Sequence, residues 1–193
     1  MEIQRFWQLI EDARGHHRGE GVDCDAVAVT ASALLAGRRD AEEIVAAQRA
    51  LWALMAESYR SPLWAAAYVI NGGCSDDGFD YFRGWLILQG RQTFEQVLAD
   101  PDSLADLSAV QAAAARGEDI DGQAALAIAW DAYREATGEE LPAGAFSVRY
   151  PELDQEWNFD FDDMTEMCRR LPRLASLYVG PVGQSAVGQS AVP

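Results

Sequence analysis

Residues 68–90 read YVINGGCSDDGFDYFRGWLILQG. Tyr68, Val69 and Ile70 close an apolar run, and Asn71, Gly72 and Gly73 supply the left-handed backbone that ends a helix and turns the chain. Ser75, Asp76 and Asp77 then place oxygens and negative charge where a new helix presents its unpaired N–H groups. Phe79, Tyr81, Phe82, Trp85, Leu86 and Leu88 leave that helix almost no polar face, so it is predicted to be central and buried, closing at Gly90. A tight corner feeding a buried helix makes the fold class helical.

Working outward, the same periodicity recurs. Ile3, Phe6, Trp7 and Ile10 form one apolar face, followed by a Gly-rich polar loop from Arg14 to Gly21. Asp23 or Asp25 can cap an Ala-rich helix that ends at Gly37. Asp40 and Glu43 resemble a capping box ahead of the stripe Ile44, Ala47, Leu51, Leu54 and Met55, which runs to Tyr59. Ser61 is predicted to cap the next helix, with Pro62 at its first position. Beyond the corner, helices are predicted over Arg91–Ala99, Ser108–Arg116 and Ile120–Thr137, with a break at Asp100-Pro101. Leu141 to Phe159 reads as irregular, with Ala145–Tyr150 as a short extended piece, and a last helix spans Asp162–Leu171. Period-2 alternation is nearly absent. The expectation is an all-α, compact multi-helix bundle forming one domain over residues 1–180, with a disordered tail over 181–193, where GQSAV is written twice without a charge.

Composition narrows the function classes. The net charge is −16, and all 15 basic residues are Arg. A field this negative repels phosphate backbones, which argues against nucleic-acid binding, and it speeds association with a basic protein partner. No apolar run approaches the roughly 20 residues that a membrane span needs. The start, MEIQRFWQLIEDAR, lacks the basic-then-apolar layout of a signal peptide, so a cytoplasmic location is expected. Cys24, Cys74 and Cys168 are odd in number and far apart, which argues against a disulfide framework or a thiolate zinc site. His16-His17 lack the spacing of a metal motif. No metal and no cofactor are predicted.

Two places are candidates for a site. At the corner, helix capping by itself accounts for the acids, and Asp80 and Arg83 are spaced to pair on one helix face. A functional alternative gathers Asn71, Asp76, Asp77, Asp80 and Arg83 at the mouth of a pocket under Trp64, Tyr81 and Trp85, to take a divalent metal or a phosphorylated small molecule. Asp76–Asp80 matches a DDxxD pattern and Asp160–Asp163 a DxDD pattern, both of isoprenoid chemistry, but such short patterns arise easily among 31 acids. Cys74, in a turn beside a helix start, is the one thiol with a candidate nucleophile's position, although Asp76 and Asp77 oppose its ionisation. The second place is the block from Glu152 to Glu166, which holds seven acids and no Arg before Arg169, Arg170 and Arg173 follow. Acids before and cations after a helix complement its dipole. Trp157, Phe159 and Phe161 interleave with them, so Trp157, Phe159, Asp160, Asp162 and Asp163 also form a candidate docking face for a basic partner.

Phe6-Trp7, the run Ile70–Ile87, ADPDSLADL at 99–107, Thr137–Pro142 and Arg170–Leu174 together resemble an uncharacterised bacterial domain family of unknown function. The resemblance implies a discrete domain and brings no activity or catalytic residues with it. Two functions stay open: a binding or regulatory module without catalysis, or an enzyme or ligand-binding domain centred on the Asp/Arg corner.

Overall fold

Helix α5, Asp76–Leu88, is buried on nearly every side, because seven of its last eight residues are apolar or Gly and the eighth, Arg83, is fully enclosed. The other elements are arranged around it in a computed structural model that describes residues 3–17 and 23–179. They are α1 (Ile3–Gly15), α2 (Cys24–Ala36), α3 (Ala41–Glu57), α4 (Ser61–Asn71), α6 (Arg91–Ala99), α7 (Ser108–Arg116), α8 (Ala124–Thr137), α9 (Met164–Arg170) and α10 (Pro172–Tyr178). Short 3-10 turns occupy Pro101–Asp106 and Gln155–Trp157, and among the described residues there is no strand. The fold is all-α, as the periodicity requires.

α8 lies between α2 and α3, α1 packs on α2, and α5 touches α2, α3, α4, α6 and α8. α10 docks against α4, the 3-10 turn at Pro101–Asp106, α7 and α9. Among the described residues, no helix is long and apolar enough to cross a membrane.

Several predicted starts and stops coincide with the structure. Asp23 caps α2 by accepting the Asp25 N–H at 3.0 Å, and Asp40 caps α3 through the N–H groups of Glu42 and Glu43 at 3.0 and 3.1 Å. Gly72, at φ 62°, ends α4 in the left-handed conformation that Gly adopts without steric cost.

Others are corrected. α1 continues through Arg14 to Gly15, which shortens the expected loop; residues 18–22 of that loop lie outside the described residues, as does the tail at 181–193. Glu43 does not reach back to its cap but pairs with Arg38 at 2.5 Å. Ser61 is not a cap: it is buried, and its N–H donates to the Asp154 carboxylate at 3.1 Å. α8 starts at Ala124 rather than Ile120, because residues 120–123 are held against α5 and the Asn71 amide. Ala145–Tyr150, by contrast, has neither helix nor strand, in keeping with the irregular segment expected there. The last predicted helix, Asp162–Leu171, is α9, which starts at Met164, and a further helix that was not predicted, α10, opens on Pro172, where a missing N–H costs nothing.

α10 begins on a buried carboxylate. Asp102 accepts the N–H groups of Arg173 and Leu174, both at 3.0 Å, while the Arg173 guanidinium spreads over Asp100, Asp102 and Asp106. An N-cap supplied from 71 residues away ties the end of the chain to the segment after α6.

α5 and the linker before α8 approach closely at two glycines. A Cβ on Gly84 would lie 2.7 Å from the Gly122 carbonyl oxygen, and a Cβ on Gly122 would lie 2.3 Å from the Trp85 nitrogen. Helix propensity favours Ala over Gly at position 84 by about 1 kcal/mol, whereas the clash is with backbone, which has no rotamer to change. Gly84→Ala is therefore expected to destabilise the fold by about 1–3 kcal/mol in urea unfolding; a stabilised variant would contradict this packing.

Candidate functional site

The corner between α4 and α5 is assembled by hydrogen bonds that all stay within the chain. The Asn71 side chain accepts the Ile120 N–H at 2.9 Å and donates to the Ile120 carbonyl at 3.1 Å, so it works as a clasp on the linker before α8. Ser75 caps α5 by accepting the Gly78 N–H at 3.2 Å. Asp76 and Asp77 sit exposed in the first turn, where their charge complements the helix dipole.

Asp80 and Arg83 do pair. The guanidinium is fully buried and donates to Asp80, to the Met55 carbonyl of α3 and to the Phe79 carbonyl at 3.3 Å. Its carbon lies 4.6 Å from the Phe79 ring centre, 5.0 Å from Tyr59 and 5.9 Å from Tyr150. Tyr150 closes the arrangement by donating its hydroxyl to the second Asp80 oxygen at 3.0 Å. Burial pushes the Arg83 pKa down, against the opposing pull of Asp80, and it pushes the Tyr59 and Tyr150 phenols up. Arg83 thus points into the protein and holds α3, α5 and the segment at Tyr150 together.

The predicted candidates therefore divide. Trp64 and Trp85, expected over one pocket, line two separate recesses, and the lining of neither includes Asp76, Asp77, Asp80 or Arg83. The Trp85 recess, about 730 Å³, runs along Asp23, Asp25, Arg116, Asp119 and Asp121. Among the described residues, no three His, Cys, Asp or Glu side chains gather as a set of metal ligands. Burial raises the Cys74 thiol to about 11, which leaves little thiolate near neutral pH.

The C-terminal candidates come together with α4. A recess of about 470 Å³ opens between α4 and residues 153–161, lined by Trp64, Tyr68, Trp157, Phe159 and Phe161 with Asp154 and Asp160. α4 presents Ser61, Trp64 and Tyr68 on one face, three and seven residues along the helix, and each is tied to the facing loop or the corner. Ser61 N–H donates to Asp154, Tyr68 hydroxyl donates to Asp162 at 2.5 Å, and Trp64 Nε1 donates to the Cys74 carbonyl at 3.0 Å. The Asp162 hydrogen bond raises the Tyr68 pKa. Phe79 stacks on Trp64 at 4.7 Å and 13°, and Phe161 meets Tyr68 edge-on at 5.7 Å.

Trp157, Phe159 and Phe161 continue as a row, 6.0 and 5.4 Å between successive centres. Arg170, which is not part of the recess lining, lays its guanidinium 4.7 Å from Trp157 and 4.9 Å from Phe159. Glu166 holds that guanidinium at 3.1 Å and Arg169 at 2.7 Å. Of the predicted docking residues, Trp157, Phe159 and Asp160 line the recess and Asp162 braces it through Tyr68. Asp163 instead caps α9 through the N–H groups of Thr165 and Glu166. Sequence reasoning missed the contribution of Tyr68 and Asp154; the spacing of Trp64 and Tyr68 on one helix face was the available signal for the first, and none existed for the second.

The family model described as "Protein of unknown function (DUF4240)" matches residues 1–135, well over half of the chain, and the chain belongs to that family. The later segments read as family features, Thr137–Pro142 and Arg170–Leu174, fall beyond the matched residues. No curated protein and no solved structure matches the chain.

Two outcomes follow from this geometry. Arg83→Met leaves Asp80 and the Met55 carbonyl without their partner and is expected to cost about 3–5 kcal/mol, whereas Tyr150→Phe, which removes a single hydrogen bond, costs about 1 kcal/mol; denaturant midpoints of the two variants give the comparison. Hydrogen bonds from Arg169, then Arg170, hold the Glu166 carboxyl at about 2 instead of 4.5. A depressed carboxyl stabilises the fold above its unfolded pKa, so this contribution is present above pH 4.5 and is lost as the pH falls towards 2. An NMR titration of the Glu166 side chain should find the low midpoint, and Arg169→Gln should move it upward.

Proposed function

We propose that this member of the DUF4240 family is a cytoplasmic protein-interaction module that docks a basic protein partner in the recess between α4 and residues 153–161. The observation that carries the reading is the composition of that recess: five aromatic rings and two aspartates, with no Arg in the lining of an open cavity. Aromatic anchors within an acidic rim match the makeup of interaction hot spots, and a net charge of −16 steers a basic partner towards it. The polar atoms around the rings support binding over catalysis. Trp64 Nε1, the Tyr68 hydroxyl and one oxygen each of Asp154 and Asp160 are committed to contacts inside the chain, which holds the surface in one shape. Cys24, Cys74 and Cys168 are free thiols, in keeping with a reducing compartment.

The test is capture of soluble proteins from the source cells on immobilised wild-type chain and on variants of normal melting temperature. A basic protein should be retained by the wild type and by Glu95→Gln, a neutralised acid outside the recess lining. Trp157→Ala with Asp160→Asn should weaken that retention more than about tenfold, as loss of a hot-spot residue does. Equal retention by the recess variant would remove the recess from the interface.

A further inference from the structure

Resting on that docking reading, we infer that the recess selects arginine over lysine: its occupant is an arginine side chain of the partner, stacked on the aromatic row and held by Asp160 and Asp154. Three observations lead there. First, Trp64 and Tyr68 meet a ligand with ring carbon rather than with a free donor, since the Trp64 N–H and the Tyr68 hydroxyl are bonded to Cys74 and Asp162. The face of an aromatic ring carries the negative part of its quadrupole, so it attracts a cation with a flat, weakly hydrated body. A guanidinium has that body; an ammonium is compact and strongly hydrated.

Second, the carboxylates are set for a fork of donors. Asp154 gives one oxygen to the Ser61 N–H at 3.1 Å, and Asp160 gives one to the Asp162 N–H at 3.0 Å. Each backbone bond fixes the carboxylate through one oxygen, and among the described residues the other oxygen of each has no hydrogen bond within the chain, so it can accept from a ligand. Guanidinium carries five N–H donors in a plane, enough to meet such acceptors while its face rests on a ring.

Third, the chain already builds this arrangement twice for itself. Arg83 is enclosed by Tyr59, Phe79 and Tyr150 with Asp80 as its acid, and Arg170 lies over Trp157 and Phe159 with Glu166 as its acid. Trp157 and Phe159, the rings under Arg170, are two of the five that line the recess. A second guanidinium approaching them from the recess would repeat a contact that the fold has already shown to be compatible with these rings.

The experiment uses the full chain and two fluorescent peptides, identical except that one carries arginine wherever the other carries lysine, titrated by anisotropy near physiological ionic strength. The arginine peptide is expected to bind about tenfold tighter, a preference within the range of a cation–π contact. Asp160→Asn, which keeps an amide oxygen for the Asp162 N–H, should weaken both peptides. Phe159→Leu should abolish the preference, and Phe159→Tyr, which retains the ring, should restore it even if the leucine variant folds poorly. Equal affinities that both fall with Asp160→Asn would overturn the selection of arginine and leave the docking reading standing. Absence of binding by either peptide would also overturn the inference, while capture of a basic protein through the recess would still uphold the docking reading. An arginine preference indifferent to Asp160→Asn and Phe159→Leu would overturn the inference and remove the support it draws from the recess.

Discussion

The guanidinium of Arg83 is the constraint on which the arrangement of helices depends. Moving an ion out of water costs several kcal/mol even after the protein relaxes around it, so a fully buried Arg persists only where its charge and donors are met. Here Asp80 meets the charge, the carbonyls of Phe79 and Met55 take further donors, and Tyr59, Phe79 and Tyr150 present their faces to the cation. These groups come from α3, the α3–α4 connection at Tyr59, α5 and the segment after α8, so one satisfied ion requires four parts of the chain to be in place together. Such a network contributes less to net stability than to uniqueness: an alternative packing of the same helices would strand a buried charge.

A second device is the use of distant carboxylates to start helices. Asp154 receives the first N–H of α4 from 93 residues away, and Asp102 receives two N–H groups of α10 from 71 and 72 residues away. Both helices begin at or next to Pro, which needs no partner for its missing N–H but supplies no side-chain cap either. The acid that a local cap would have provided comes instead from another segment, and forming the helix start then also docks that segment. The chain after α8, which has little regular structure, is held in this way by α4 at Ser61 and Tyr68 and by the Pro101–Asp106 turn at Arg173.

This device marks the border of what the amino-acid order reveals. Helix existence, the corner at Asn71–Gly73, the caps at Asp23, Asp40 and Ser75 and the burial of α5 were all legible, because apolar periodicity and capping act within a few residues. So was the Asp80–Arg83 pair, at helical spacing. That Arg83 faces inward was not, since three of its aromatic and carbonyl partners lie on other elements and spacing along α5 contains no information about them. Ser61 looked like a cap for the same reason: its neighbours in sequence fit, and the acid that displaced it is 93 residues away. The aromatic and acidic character of the 152–166 block was visible, but the recess needed α4 as its second wall.

Helix stabilisation and a docking role are compatible readings of the acids in that block. A carboxylate has two oxygens with several lone pairs, and one backbone N–H uses part of one. Asp154 on Ser61, Asp160 on the Asp162 N–H and Asp162 on the Tyr68 hydroxyl are each fixed by one bond inside the chain. A surface acid left free would lose rotamer entropy when a partner arrived; these have lost much of it on folding. Ser61, Trp64 and Tyr68 share a face of α4, and α4 turns through the Asn71 corner into the helix that carries Arg83, so one wall of the recess and the buried ion are joined by a single corner. On the docking reading proposed above, the bonds that steady the loop would also hold its carboxylates ready for a partner, so capping and binding would draw on the same contacts.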